Sequence, residues 1–189
     1  FPVRAFTDEN GVDLLSGVFT AYSPGIRIGS EEMGLGYVRE VRGPIFRDGT
    51  MGTIGFDGTS TYTVALGGAS EAFTLSGGAF TPVEQNGSTL SLSGTTYTYT
   101  KRDGTVANFE TANFAFGNAK GTSIATLTYP SGRSLTYHYV TASYTNTSGQ
   151  PVTGRRLQSV TTNAGYHMKL SYQSDAVASS SDTGAWAKT

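Results

Sequence analysis

A chain of 189 residues is long enough to bury a real core, yet only 14% of it is charged and 37% hydrophobic, so its surface must be covered largely by Ser, Thr, Asn and Gly. The formal net charge of -1, with Lys101-Arg102 and Arg155-Arg156 as the paired basic sites, excludes a strong electrostatic footprint for nucleic acid or anionic lipid, and both pairs read as solvated turns. The absence of cysteine excludes disulfides and thiolate metal sites, and no apolar run approaches the roughly 18 residues needed to span a bilayer.

Taken in chain order, the first element is an irregular β segment over residues 1–58. The chain opens on Phe1 instead of Met, which predicts a processed or artificial end with any signal peptide gone, and a secreted protein. Short apolar groups such as Val12-Asp-Leu-Leu15, Gly17-Val-Phe-Thr20 and Gly25-Ile-Arg-Ile28 are separated by Gly, Pro, Asn and Asp and predict short strands with long turns. Asp48-Gly49 and Asp57-Gly58 carry hairpin-turn chemistry, with Met51 to Phe56 as an alternating strand between them.

Residues 59–175 form a hairpin repeat region. Tyr62 to Gly68 is followed by Glu71 to Leu75. Tyr97 to Thr100 leads through Lys101-Arg-Asp-Gly104 into Val106 to Phe109. Ile124 to Tyr129 turns at Pro130-Ser-Gly132 and returns as Leu135 to Tyr139, and Leu157 to Thr162 turns at Asn163-Ala-Gly165 and returns as Met168 to Tyr172. The turn glycines Gly68, Gly104, Gly132 and Gly165 are spaced by 36, 28 and 33 residues, a range suited to small stacked units, and glycine there supplies the φ > 0 that tight turns require. Within the copies the strand period is two: Tyr97 and Tyr99 share one face while Thr96, Thr98 and Thr100 share the other, and Leu135, Tyr137 and Tyr139 repeat the pattern. Isolated hairpins are marginal in water, so the copies must stack. Residues 176–189, rich in Ser and Ala with Trp186, read as a flexible tail or assembly strand. The fold class is therefore all-β: short irregular N-terminal strands followed by stacked antiparallel hairpins, as a β-sandwich or β-strip, with little or no helix.

The hairpins resemble the repeats of Rhs/YD-repeat proteins. The matching segments are Arg156-Leu-Gln-Ser-Val160 with Gly165 and Leu170-Ser-Tyr172, Gly132-Arg-Ser-Leu-Thr-Tyr137, and Tyr97-Thr-Tyr-Thr-Lys-Arg-Asp-Gly-Thr-Val106. Thr7 to Asp13 with Gly34-Leu-Gly-Tyr-Val-Arg39 resembles the lead-in before such repeats, and the likeness covers about two thirds of the chain. The signature Tyr-Asp pair is absent, since Gln173 follows Tyr172. The resemblance implies a bacterial, secreted or cell-surface chain whose hairpins join into a β-strip that in larger relatives spirals into a shell around a cargo. Four copies are too few for a closed shell. The likeness thus implies an N-terminal fragment of such a protein, or a short relative that kept the hairpins for another structural use. No catalytic residue carries over.

Candidate chemistry is sparse. His138 and His167 each lie on a returning strand, but their offsets from the turn glycine differ, so no shared register aligns them, and no metal is expected there. Glu31 and Glu32 fall on opposite faces if they lie on a strand and, with Glu40, read as a polar turn. Asp48, Asp57 and Asp103 each precede glycine and read as turn residues. No Gly-x-Ser-x-Gly elbow occurs, and Gly34-Leu-Gly36 lacks the third glycine and the helix of a phosphate cradle. No cofactor is implied. The tyrosines Tyr97, Tyr99, Tyr137, Tyr139 and Tyr172 are either core between stacked hairpins or an exposed platform for sugar rings.

The leading expectation is an extracellular structural scaffold, not an enzyme, that self-associates through unpaired strand edges into a fibre or shell, with itself or the rest of a larger Rhs-like chain as partner and Trp186 as an assembly contact. A cell-surface carbohydrate-binding module recognising a polysaccharide is the second reading, and a hydrolase with an unrecognised site the third.

Overall fold

The computed structural model describes residues 12, 20–23, 25–30, 33–37, 39–42, 45–48, 51–67, 69–116, 119–145 and 148–172. Among them every regular element is a strand and there is no helix. Gly68, Glu31, Glu32 and Trp186 with the tail lie outside the described residues, so the readings made at those positions have no structural counterpart.

The first strands are β1 (Thr20–Ser23), β2 (Arg27–Ile28), β3 (Leu35–Gly36), β4 (Arg39–Arg42) and β5 (Ile45–Asp48). They make a three-stranded sheet in the order β1-β4-β5 and a small β2-β3 hairpin. Next come β6 (Gly52–Phe56), β7 (Thr61–Leu66), β8 (Ala69–Ser76) and β9 (Ala79–Pro82), a four-stranded antiparallel meander that runs across residue 58. The largest sheet is a seven-stranded antiparallel meander of β10 (Thr89–Ser93), β11 (Thr96–Thr100), β12 (Val106–Phe116), β13 (Ala119–Thr128), β14 (Ser134–Thr145), β15 (Pro151–Thr162) and β16 (His167–Lys169).

Strand alternation builds the core. Following the register across the seven-stranded sheet, Leu90, Tyr99, Ala107, Leu127, Leu135 and Thr162 stand side by side, and all six are buried. One residue along each strand the row becomes Ser91, Thr98, Asn108, Thr126, Thr136, Thr161 and His167, polar throughout. Because successive side chains point to opposite faces, a sequence such as Thr96-Tyr-Thr-Tyr-Thr100 delivers tyrosine to the core and threonine to the outside. Hydrogen bonds run along the outer row, from Thr98 Oγ1 to Asn108 Oδ1 at 2.9 Å and from Asn108 Nδ2 to Thr126 Oγ1 at 3.0 Å.

The four-stranded sheet joins the same core. Ile54, Val64, Leu66 and Phe73 are buried in one cluster with Tyr97, Tyr99, Phe109 and Ile124. Aromatic rings cross between the sheets: Phe73 meets Tyr99 edge-on at 6.0 Å between centroids, and Tyr97 meets Tyr62 at 5.9 Å and Phe80 at 6.0 Å. β6 lies against β13, where a side chain replaces a ladder bond. Ile54 N–H donates to Thr122 Oγ1 at 2.7 Å and Thr122 Oγ1 donates to Ile54 C=O at 3.0 Å, so one buried hydroxyl satisfies both backbone groups on the free edge of β6.

The copy built on Tyr62 to Leu75 therefore forms part of a separate sheet, β7 and β8, and the three later copies alone make the continuous meander. Within that meander β13 and β14 share only the register from Thr126–Thr136 to Thr128–Ser134, after which the two long hairpins part and β15 comes against β12. Arg155 meets Glu110 there at 3.7 Å.

Candidate functional site

Three turns at one end of the meander, β11-β12, β13-β14 and β15-β16, are copies at the level of individual hydrogen bonds. Lys101 N–H donates to Thr105 C=O at 2.8 Å and Gly104 N–H to Lys101 C=O at 2.9 Å. The second turn has Tyr129 N–H to Arg133 C=O and Gly132 N–H to Tyr129 C=O, both at 2.9 Å, and the third has Thr162 N–H to Tyr166 C=O at 2.9 Å and Gly165 N–H to Thr162 C=O at 3.0 Å. Gly104, Gly132 and Gly165 take φ of 87°, 83° and 86°, a conformation a Cβ would strain. Adjacent turns are tied together: Asn163 accepts Ser134 N–H at 3.0 Å and donates Nδ2–H to Gly132 C=O at 2.8 Å.

A second copied device fastens the strands. Tyr139 donates its hydroxyl to Ile124 C=O at 2.8 Å, and Tyr172, fifteen residues after Leu157 as Tyr139 is after Ile124, donates its own to Leu157 C=O. In the preceding copy Thr111 Oγ1 donates to Thr95 C=O at 2.9 Å. Each tyrosine ring is stacked by an arginine, Arg155 over Tyr139 at 3.8 Å and Arg156 over Tyr172 at 4.2 Å. Thus the basic pair at 155–156 is structural and not a solvated turn: Arg156 is buried and Arg155 half-buried on β15. Of the other tyrosines singled out by sequence, Tyr97, Tyr99 and Tyr137 are 7%, 2% and 5% exposed, so the row is core and leaves no flat aromatic platform at those positions.

The histidines stay two positions out of register, as their unequal offsets imply: His138 pairs with Ser159, whose partner on β16 is Lys169, while His167 pairs with Thr161. Strand alternation puts both on the outer face beside Thr161, His138 two residues along β14 from Thr136, the partner of Thr161, and His167 directly opposite Thr161, with His138 Nε2 3.1 Å from Thr161 Oγ1. Both are exposed. Among the described residues no group of three or more His, Asp or Glu that could hold a metal ion is present. Glu40 lies in β4 and Asp48 in β5. Asp57 accepts the N–H groups of Thr59, Ser60 and Thr61 at 2.8 to 3.0 Å, and these bonds hold its carboxyl down at about 2. Asp103 is likewise held below the usual carboxylate range, chiefly by Thr105 N–H at 2.8 Å.

One polar cluster was not legible as a site. Burial opposes ionisation of Glu71, but hydrogen bonds from Ser88, Tyr99 and Asn86 and the charge of Lys101 outweigh it and keep the carboxyl below its ordinary value. Burial, together with the bond to Glu71, pushes the Tyr99 phenol far above its own. Ser88 is 3% exposed and donates to Glu71. The cluster pins the beginning of β8 to the residue before β10 and contains no nucleophile paired with a base of matching pKa.

The turns frame a cleft of about 230 Å³. Lys101, Asp103 and Thr105 come from the first turn, Tyr129 and Arg133 from the second, and Gly67 from the end of β7. Gly36 of the β2-β3 hairpin completes the wall, and Leu66, Leu127 and Leu135 supply an apolar lining. That hairpin is seated by Leu35, 1% exposed in the core, and by Gly29, whose added Cβ would lie 2.6 Å from the Tyr166 ring. Three sheets thus meet at one opening, the usual place for a ligand site. Residue spacing holds no hint of it, because Lys101 and Arg133 belong to different hairpins.

No family model matches this chain, and no curated protein sequence matches it.

Proposed function

We propose that this chain is an extracellular structural β-scaffold, of the kind its likeness to Rhs/YD-repeat proteins implies, that extends by adding strands at the free edge of its seven-stranded sheet. The observation that carries the reading is the copying of one turn and one strand clasp through successive hairpins, with the last copy ending at a short strand that has a single neighbour among the described residues.

Backbone direction supports it. Thr162 N–H reaches Tyr166 C=O and Leu170 N–H reaches Gln158 C=O, both at 2.9 Å. In an antiparallel ladder the intervening alternate residues, His167 and Lys169, then turn their N–H and C=O groups away from β15. Such outward groups are a template for another strand, and the side chain of Lys169 is the edge's charged guard. The role is structural and not enzymatic. A sugar-binding module built on a tyrosine platform loses its ground with the burial of Tyr97, Tyr99 and Tyr137.

Electron microscopy and sedimentation of the chain over a wide concentration range test the proposal. Fibres or a concentration-dependent series of oligomers are expected; a monomer at every concentration overturns it.

A further inference from the structure

We propose that the cleft between the Lys101–Gly104 turn and Arg133 binds a monosaccharide-sized polyhydroxy carboxylate, a hexuronate, either free or as the end residue of an acidic polysaccharide.

The first observation is a departure from the repeat. The residue after the turn glycine is Thr105 in the first turn, Arg133 in the second and Tyr166 in the third, yet all three turns make the same backbone bonds. The fold therefore does not require arginine at 133. The second observation is that Arg133 stands in the wall of the cleft beside Lys101. Its guanidinium lies 4.8 Å over the Tyr129 ring, and its Nε, like those of the stacked Arg155 and Arg156, is buried with no hydrogen-bond partner among the described residues. Arg133 lines the cleft, and a guanidinium on a cleft wall pairs with a carboxylate in a charge-assisted bond.

The rest of the lining selects the ligand class. Lys101 and Arg133 stand against one carboxylate, Asp103, so the lining has a net charge of one positive, which a single carboxylate neutralises. Asp103, kept ionised by its bond from Thr105, is an acceptor for ligand hydroxyls. Leu66, Leu127 and Leu135 offer an apolar wall to a ring's C–H face. At about 30 Å³ of liquid volume per water molecule, 230 Å³ holds roughly eight waters, which is room for one sugar ring.

The test is a titration of the isotope-labelled full chain, followed by backbone amide shifts, with galacturonate, glucuronate, galactose and acetate at matched ionic strength, and with a short oligouronate to separate the free acid from the polysaccharide end. A uronate is expected to move the amides of Lys101, Asp103, Thr105 and Arg133 saturably, galactose and acetate to bind at least tenfold more weakly, and Arg133→Gln to lose at least tenfold in affinity while retaining the dispersion of the folded spectrum. Because Thr and Tyr occupy this position in the sister turns, Arg133→Gln is expected to fold; Lys101→Gln, at an independent position, is expected to weaken binding in the same direction. No shift at these amides with any uronate, equal binding of acetate, or undiminished binding by both variants overturns the assignment.

Discussion

The hydroxyls of Tyr139 and Tyr172 donate to the carbonyls of Ile124 and Leu157, and the rings add an arginine stack on top. Removing one such donor while keeping the ring isolates the bond. Tyr139→Phe is expected to cost about 1 kcal/mol and to lower Tm by roughly 2 to 4 °C in a chain of this length, with Arg155 still stacked, and calorimetry checks it. A second single-group effect is electrostatic. The Asp57 carboxyl is depressed from 3.8 to about 2, so its contribution to stability is present above the unfolded value and is lost as pH falls through the folded one. A carboxyl titration by NMR is expected to place its midpoint near 2, and Asp57→Asn is expected to flatten the acid limb of the stability curve between about pH 4 and 2; a midpoint near 3.8 contradicts this. At this scale the sequence is readable where the cause is local. Asp57-Gly58 and the turn glycines 104, 132 and 165 announce themselves because an Asx bond and a positive φ involve only near neighbours. The partner of Tyr139 does not, since it lies on another strand.

Between elements, the junction of β6 with β13 depends on two small residues. Thr122 bridges the N–H and C=O of Ile54, and Gly52 lets the strands close: a Cβ there would stand 3.0 Å from Leu66 Cδ1 and from Phe109 Cε1. Thr122→Val keeps the shape and strands two buried backbone groups, with an expected loss of about 2 to 4 kcal/mol in denaturant unfolding. Gly52→Ala is expected to cost roughly 1 to 3 kcal/mol by overpacking, whereas Gly55→Ala, with nothing within 4 Å of its added Cβ, is expected to be near neutral. Equal effects of the two glycine variants contradict the packing described for this seam. Alternation makes strand and face legible from sequence, as at Thr96 to Thr100, but which sheet a strand joins is decided 68 residues away. The same limit hid the cleft: Lys101 reads as a solvated turn lysine until Arg133 of the next hairpin and Gly36 of the N-terminal one are placed beside it.

Across the whole molecule, copies of one hairpin share a single inner row of buried side chains and a single outer row of hydroxyls and amides, so the sheet can be lengthened by repeating its unit without redesigning its core. The copy at residues 62–75 shows how repetition in sequence differs from continuity in space, because its strands found partners in β6 and β9 and packed face to face on the meander. Among the described residues, what the meander leaves at its end is β16, with the backbone of His167 and Lys169 turned outward. Proline at 169 removes an N–H that does not serve the β15 ladder and occupies a position an edge strand tolerates, so Lys169→Pro blocks strand addition while sparing the fold. The most direct measurement is sedimentation velocity of the chain and of Lys169→Pro over the same concentration range, with circular dichroism confirming that both are folded. The account predicts concentration-dependent oligomers for the unaltered chain and their loss in the proline variant; identical sedimentation of the two folded proteins contradicts it.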